Sequence, residues 1–508
     1  MTSDGERGDG GRTGMAGEAG EREREKTVFG HPRGIITLFL TEMWERFSFY
    51  GLRAILYFFL IATAAGGGLG LPKPTATAVV GVYGALIYLL ALPGGWIADR
   101  VLGARRAVLV GGSIIMLGHI CMAIPIRGAA LIWLGLALIV LGTGLLKPNI
   151  STMVGELYPE GENARRDAGF SIFYLGINLG AFIAPYVVSN LAKDDRWHLG
   201  FGAAAVGMAI GLTQYVIGGR HLRGVGETPG HRLTPGERRH FGLVILAGLL
   251  VAVVAIALWA ATGTLNVDRF TVVLTALTIA VPVLYFAYIL LGSHNLTADE
   301  RLKMKAYIWL FVAASIFWMI YDLAPTVLNE FAASKTDLEI FGHRITAATT
   351  QSFNPLLIMI FVPVFAVLWV RLGNRVGAAQ KFAFGLFVIG VSFVVMALVA
   401  RLAEFGKVSV WWLFLVYLIQ VFGELSLSPV GLSVTVELAP RAFKSQMLGV
   451  WFLSFAVGDA IGGQTARLLR FISLPAYFVT LAAIAIVAAG VLLTFSHRLR
   501  VLMGEERG

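Results

Sequence analysis

Residues 41–51 read TEMWERFSFYG, with RGIITLFL (33–40) before them and LRAILYFFLIATAA (52–65) after. Glu42, Glu45, Arg46 and Arg53 therefore sit inside a run that is otherwise apolar and aromatic. At 100° per residue a helix through 41–53 brings all four into a sector of about 100°. Glu42 and Arg46 stand at i,i+4 in the favourable order. A charge at the centre of a bilayer costs about 2.5–3.5 kcal/mol on insertion scales, so four of them are expected to face a helix-bundle interior or a wet cavity rather than lipid.

The rest of the chain shows why a bilayer is the right solvent. Of 508 residues, 57% are hydrophobic and 14% charged, and the mean hydropathy is +0.74. Soluble proteins carry about 25% charged residues. Apolar stretches of about 20 residues recur, each long enough to cross about 30 Å of hydrocarbon as a helix. They are continuously apolar, not alternating, which excludes a membrane β-barrel. We count fourteen spans, at about 34–64, 75–98, 105–126, 129–153, 168–191, 199–219, 240–262, 269–292, 303–332, 346–371, 378–402, 409–438, 443–470 and 474–496.

Net charge is +10 and the isoelectric point near 9.7, but the basic residues gather in alternate short loops: Arg100, Arg105 and Arg106; Arg165 and Arg166; the stretch 220–240; Lys303 and Lys305; Arg371, Arg375 and Lys381; Arg441 and Lys444. That is the pattern of cytoplasmic loops, so both termini are expected in the cytoplasm and nucleic acid is not expected as a partner. Cys121 is the one cysteine, which precludes an intrachain disulfide, and no Cys/His cluster suggests a metal. Residues 1–27 are rich in Gly, Glu and Arg without an apolar core, as in a disordered tail.

The polar 220–240 stretch divides six spans from two plain ones, read as lipid-facing packing helices, and six richer ones follow. The expected organisation is a tail (1–30), a six-helix bundle (31–219), a linker with two extra helices (220–302), a second six-helix bundle (303–496) and a short tail (497–508). GGWIADRVLGARRA (94–107) is loosely echoed by WVRLGNRVGAAQ (369–380), as in internally repeated carriers with a midplane site between bundles. Further polar residues interrupt the spans: Lys147, Asn178, Asp322, Asn354, Glu424, Ser428 and Asp459. Intramembrane ionisable groups mark transport or proton paths more often than plain packing. Pro148, Pro185, Pro325, Pro355 and Pro429 are expected to bend their helices.

At this point the residues resemble a family. EMWERFSFYG (42–51) is similar to the first-helix hallmark E-x-x-E-R-F-x-Y-Y-G of the proton-dependent oligopeptide transporters, a branch of the major facilitator superfamily. GFSIFYLGINLGAFIAP (169–185), GELSLSPVGLS (423–433) and GGWIADRVLGARR (94–106) resemble further stretches of that family, and the likeness covers about 30–500. The resemblance implies an all-α membrane protein with two six-helix bundles plus two extra helices between them, no enzymatic activity, no cofactor, and protons as coupling ion. It implies a monomeric importer of di- and tripeptides in a bacterial cytoplasmic membrane. Glu42, Glu45, Arg46 and Asp322 match proton-coupling positions. Arg53 and Lys147 match cations for the peptide carboxylate, and Glu424, Asn178 and Asn354 match groups around its amino end. Tyr50, Tyr88, Trp318, Ser428 and Trp451 match pocket-lining positions. Arg53–Asp322 and Lys147–Glu424 are the implied gate salt bridges. Three departures stand out: Phe49 replaces a tyrosine, removing a pocket hydroxyl; Asp322 is a carbon shorter than the usual Glu; and Asp459 is outside the pattern. A carrier of another small solute, such as an amino acid or a nitrate-like anion, is the nearest alternative. A membrane enzyme lacks any nucleophile motif or nucleotide loop, and a scaffold leaves the aligned charges unexplained.

Overall fold

The computed structural model describes residues 27–503, apart from 29, 127, 160, 223, 230–232, 293–295 and 373–374. Of the expected tails, 1–30 and 497–508, residues 1–26 and 504–508 lie outside the described residues. Thr27–Val28 pairs antiparallel with His31–Pro32, and Ser496–Met503 is a short helix.

Among the described residues there are fourteen helices of 20 residues or more: α1 (Gly34–Ile61), α2 (Lys73–Ile97), α3 (Ala104–Ala123), α4 (Ala130–Glu156), α5 (Asn163–Leu191), α6 (Trp197–Gly218), α7 (Pro235–Ala261), α8 (Val267–Ala287), α9 (Ala298–Tyr321), α10 (Phe353–Leu372), α11 (Ala378–Leu402), α12 (Trp411–Glu437), α13 (Lys444–Thr465) and α14 (Leu474–Thr494). Twelve are apolar enough to cross a membrane on composition alone. The other two, α1 and α13, hold the buried Glu42, Glu45, Arg46, Arg53 and Asp459. Capping moves two boundaries. Thr234 with Glu237 and Thr297 with Glu300 form reciprocal capping boxes, so α7 and α9 begin about five residues before their apolar runs. Lys303 and Lys305 consequently belong to α9 rather than to a loop.

In the first half α1 packs between α5 and α6, α3 against α4 and α6, and α2 against α4. In the second, α11 packs between α12 and α14, α9 against α13, and α10 against α12. Each half has its own apolar cluster. Two seams join the halves, α2 on α13 and α5 on α10. The first is made of small residues. A Cβ on Gly81 would lie 2.4 Å from the Asp459 carbonyl oxygen, and one on Gly463 3.1 Å from the Gly81 Cα. Backbone is thus packed on backbone, an approach that only small residues permit.

The two linker helices differ from each other. α7 exposes leucines and valines from Leu243 to Leu258, as a lipid-facing helix does. α8 instead rests on the α2–α13 seam. Its Asp268 takes hydrogen bonds from Thr75 Oγ1 (2.9 Å) and Arg467 Nη1 (2.8 Å), and Gln464 Nε2 donates to Thr275 Oγ1 (2.9 Å). The expectation of two plain packing helices fails for α8 because Asp268 and Thr275 carry the polar ties.

Span 9 is also not continuous. Pro325 has no N–H and cannot close the helical bond to Tyr321. The helix ends at Tyr321, a wider π-turn covers Ala324–Leu328, and Asn329–Lys335 resumes the helix. Asp322 sits in this break.

Candidate functional site

α1 carries its charges inward. Glu42, Glu45, Arg46 and Arg53 are all at most 5% exposed. Arg46 Nε lies 3.0 Å from Glu42 Oε1 and also pairs with Glu45. α5 closes over this cluster because Gly180 has no side chain: a Cβ there would be 2.2 Å from the Met43 carbonyl oxygen and 3.1 Å from the Arg46 Cβ. Lys147 of α4 belongs to the same cluster, interacting electrostatically with Arg46, Glu45 and Glu42. Two acids and two bases make it neutral overall, which limits the cost of taking four charges from water.

Lys147 was expected opposite Glu424. Instead its Nζ stands over the Tyr88 ring, 3.9 Å from the centroid, with Phe452 at 6.0 Å. No ion pair joins Lys147 to Glu424 among the described residues. Glu424 Oε2 accepts from Tyr321 Oη at 2.5 Å, and Asn354 also faces this carboxyl. The other cross-bundle pair is made: Arg53 Nη2 lies 3.0 Å from Asp322 Oδ1. Around it, Asn329 Nδ2 donates to the Ala54 carbonyl (3.0 Å), Ser352 Oγ donates to the Phe182 carbonyl (2.7 Å), Ser189 meets Thr346 (2.6 Å), and Lys73 pairs with Glu330. These ties all lie toward the 62–72 and 333–346 loops, opposite the basic loops, so the bundles are latched at that face.

Between the bundles is a cavity of about 230 Å³. From the first bundle Tyr50, Arg53, Tyr88 and Asn178 line it; from the second, Trp318, Asp322, Asn354, Glu424 and Ser428. Two residues named from the resemblance do not reach it. Lys147 has its ammonium over the Tyr88 ring, and it is Tyr88 that lines the wall. Trp451 is 1% exposed and sits behind Phe455, with ring centroids 5.9 Å apart, because Gly431 leaves room for its indole in the core. Phe49 is not a pocket residue either. It is buried between the Arg46 and Arg53 guanidiniums, 5.1 and 5.5 Å from its ring centroid, and stacks near Tyr83. The missing hydroxyl therefore concerns the charge cluster rather than the substrate wall.

The cavity also holds Tyr174, Tyr321, Gln351, Tyr417, Gln420 and Phe455, which the reading of polar interruptions passed over. Gln420 stands one turn before Glu424 and was detectable on that spacing. The tyrosines carry no such signal, since an aromatic in an apolar span is ordinary. Trp318 Nε1, Gln351 Nε2 and Gln420 Nε2 are buried donors without a protein acceptor. A cavity lined by residues of both charges, aromatic walls and unspent donors suits a small zwitterion with carbonyl groups along its length.

The POT family model matches residues 105–480. The chain belongs to this family, the proton-dependent oligopeptide transporters. It is 42% identical over 493 residues to the di-/tripeptide transporter of Lactococcus lactis subsp. lactis (strain IL1403), covering 95% of this chain and 99% of the relative. A crystal structure of the peptide transporter POT in complex with sulfate superposes with a TM-score of 0.89 at 45% identity, over 94% of this chain and 97% of that one. A POT family transporter in complex with 5-aminolevulinic acid gives 0.89 at 40%, over 94% and 98%. The chain is thus a multi-pass membrane transporter of the major facilitator fold and not an enzyme.

Proposed function

We propose that this POT family member is a proton-coupled symporter that imports di- and tripeptides across a bacterial cytoplasmic membrane, with both termini inside. The observation that carries the reading is the cavity shared by the two bundles, lined by Arg53 from the first and Glu424 from the second. A peptide carboxylate would be drawn to Arg53, and to Lys147 on rearrangement of Tyr88. The amino terminus would meet Glu424 with Asn354 and Asn178 nearby. Trp318, Gln351 and Gln420 could donate to peptide carbonyls without selecting among side chains.

On this reading the latched face is extracellular and the basic face cytoplasmic. The Arg53–Asp322 pair is the closed outer gate, and the separation of Lys147 from Glu424 is the released inner gate. Coupling uses Arg46, which is always charged. A proton on Glu42 or Glu45 removes one of its two counter-charges and upsets the neutral cluster, favouring rearrangement of α1 and α4. Rocking of the bundles then alternates access to the site. The unit is a monomer on this reading, needing no cofactor beyond the proton.

Dialanine uptake into proteoliposomes, with and without an inward proton gradient, tests the proposal. Gradient-stimulated accumulation abolished by an uncoupler is expected; gradient-independent equilibration would overturn the coupling. Glu45→Gln is expected to lose driven uptake while retaining exchange. The small cavity, and the neighbour solved with 5-aminolevulinic acid, favour a second reading in which another small amino acid-like solute is carried. Dialanine competition against such compounds separates the two.

A further inference from the structure

Asp459 has no role in the proposed mechanism, yet it occupies a central place. It is on α13, 2% exposed, and faces the α2 seam at Gly84, where a Cβ would sit 2.3 Å from its Oδ2. Neither carboxyl oxygen has a hydrogen-bond donor. The group within hydrogen-bonding reach is another carboxyl, that of Asp322, whose Oδ1 is held by Arg53. Two carboxylates are both acceptors, so this contact becomes a hydrogen bond only when one of them carries a proton.

The neighbours decide which state is favoured. α1 contributes Arg53, α4 contributes Lys147, α2 contributes Tyr88, and α9 contributes Asp322. On α8 the titratable Asp268 is bound to Arg467 in the turn just past the C-terminus of α13. On α12 Glu424 is bound by Tyr321. The nearest cation, Arg53, is already paired with Asp322, and Lys147 is held over Tyr88 within the α1 cluster. Two ionised carboxylates against one guanidinium would leave a net buried negative charge, whereas one shared proton makes the trio neutral.

We propose that Asp459 and Asp322 share one proton while Arg53 holds Asp322, making Asp459 a second proton carrier at the outer gate. The proton binds from the outside when the gate parts; drawing Arg53 off to the substrate carboxylate removes the cation that favours ionised carboxylates, so the pair keeps its proton through that step and releases it to the cavity once Arg53 returns. No bond other than O–H is made or broken. This deepens the proton-symport reading and rests on it.

The test compares wild type with Asp459→Asn. In proteoliposomes, the reversal potential of dialanine flux at fixed gradients gives protons per peptide. The variant is expected to move one proton fewer and to have a flatter pH profile. An unchanged ratio and profile would overturn the proposal. Infrared titration of purified protein with isotope-labelled aspartate gives a readout that needs no variant: a protonated aspartate carbonyl band persisting at neutral pH is expected in wild type, and its absence overturns the proposal even if Asp459→Asn fails to fold. If wild type shows no gradient-driven accumulation while the band is present, the symport reading fails and the shared proton stands.

Discussion

The two bundles treat buried charge in opposite ways. The first balances it locally: Glu42 and Glu45 are answered by Arg46 on the same helix, with Lys147 close by. The second buries Asp459 and half-buries Asp322 and Glu424 at the cavity, and the latter two are partnered by a neutral donor or from across the interface, as Glu424 is by Tyr321 and Asp322 by Arg53. A balanced cluster is a folding unit that a proton can tip. An unbalanced set of acids has a use for cations from the other bundle or for the amino group of a ligand. The asymmetry turns the interface into the place where protonation, substrate and gate geometry exchange partners.

The sharpest way to break the contrast is Arg46→Ala. It would strand two buried carboxylates, and loss of one partner from a buried ionic group costs about 3–5 kcal/mol. A large drop in melting temperature and no uptake are expected, with Arg46→Lys recovering part of the stability. A melting temperature within a degree of wild type would show that the cluster is not balanced as described. The seam comes next. Gly81→Ala places a methyl group against backbone on α13, and overpacking costs about 1–3 kcal/mol. Driven uptake should fall more steeply than stability, because this seam joins the bundles.

Much of this could be read in advance from residue type and spacing. The fourteen helices follow from apolar run length, and the inward face of α1 from placing its charges at 100° steps. What escaped depended on relations between distant segments. Trp451 and Phe49 look like pocket aromatics until Gly431 and the two guanidiniums are placed around them. Lys147 looks like a partner for Glu424 until the Tyr88 ring is placed beneath its ammonium. The role of α8 rests on Asp268 meeting Arg467, about 200 residues away. Tyr321 carries no polar signature in an apolar span, although it holds Glu424.

Glu424→Gln tests the unbalanced half. It keeps the shape and removes the charge offered to a ligand ammonium. Hydrogen bonds to charged groups contribute about 1.5–3 kcal/mol, so the apparent affinity for dialanine should fall about 10- to 100-fold. N-acetylated dialanine, which has no ammonium, should compete as weakly against the variant as against wild type. An equal loss for both compounds would place Glu424 in gating rather than in recognition.

The smallest effect is expected at Phe49, and it bears on the balanced half. Its ring lies between two buried guanidiniums and outside the cavity. Cation–π attraction contributes about 0.5–2 kcal/mol, so Phe49→Leu should lower the melting temperature by a few degrees. The KM for dialanine should stay within about twofold, since no substrate contact is removed. Phe49→Tyr keeps the ring face toward both cations and should restore stability if the added hydroxyl is accommodated beside Tyr83. A large change in KM with unchanged stability in Phe49→Leu would put the ring back on the substrate wall. It would also show that the cavity extends to the α1 cluster in another conformation, joining the balanced and unbalanced halves directly.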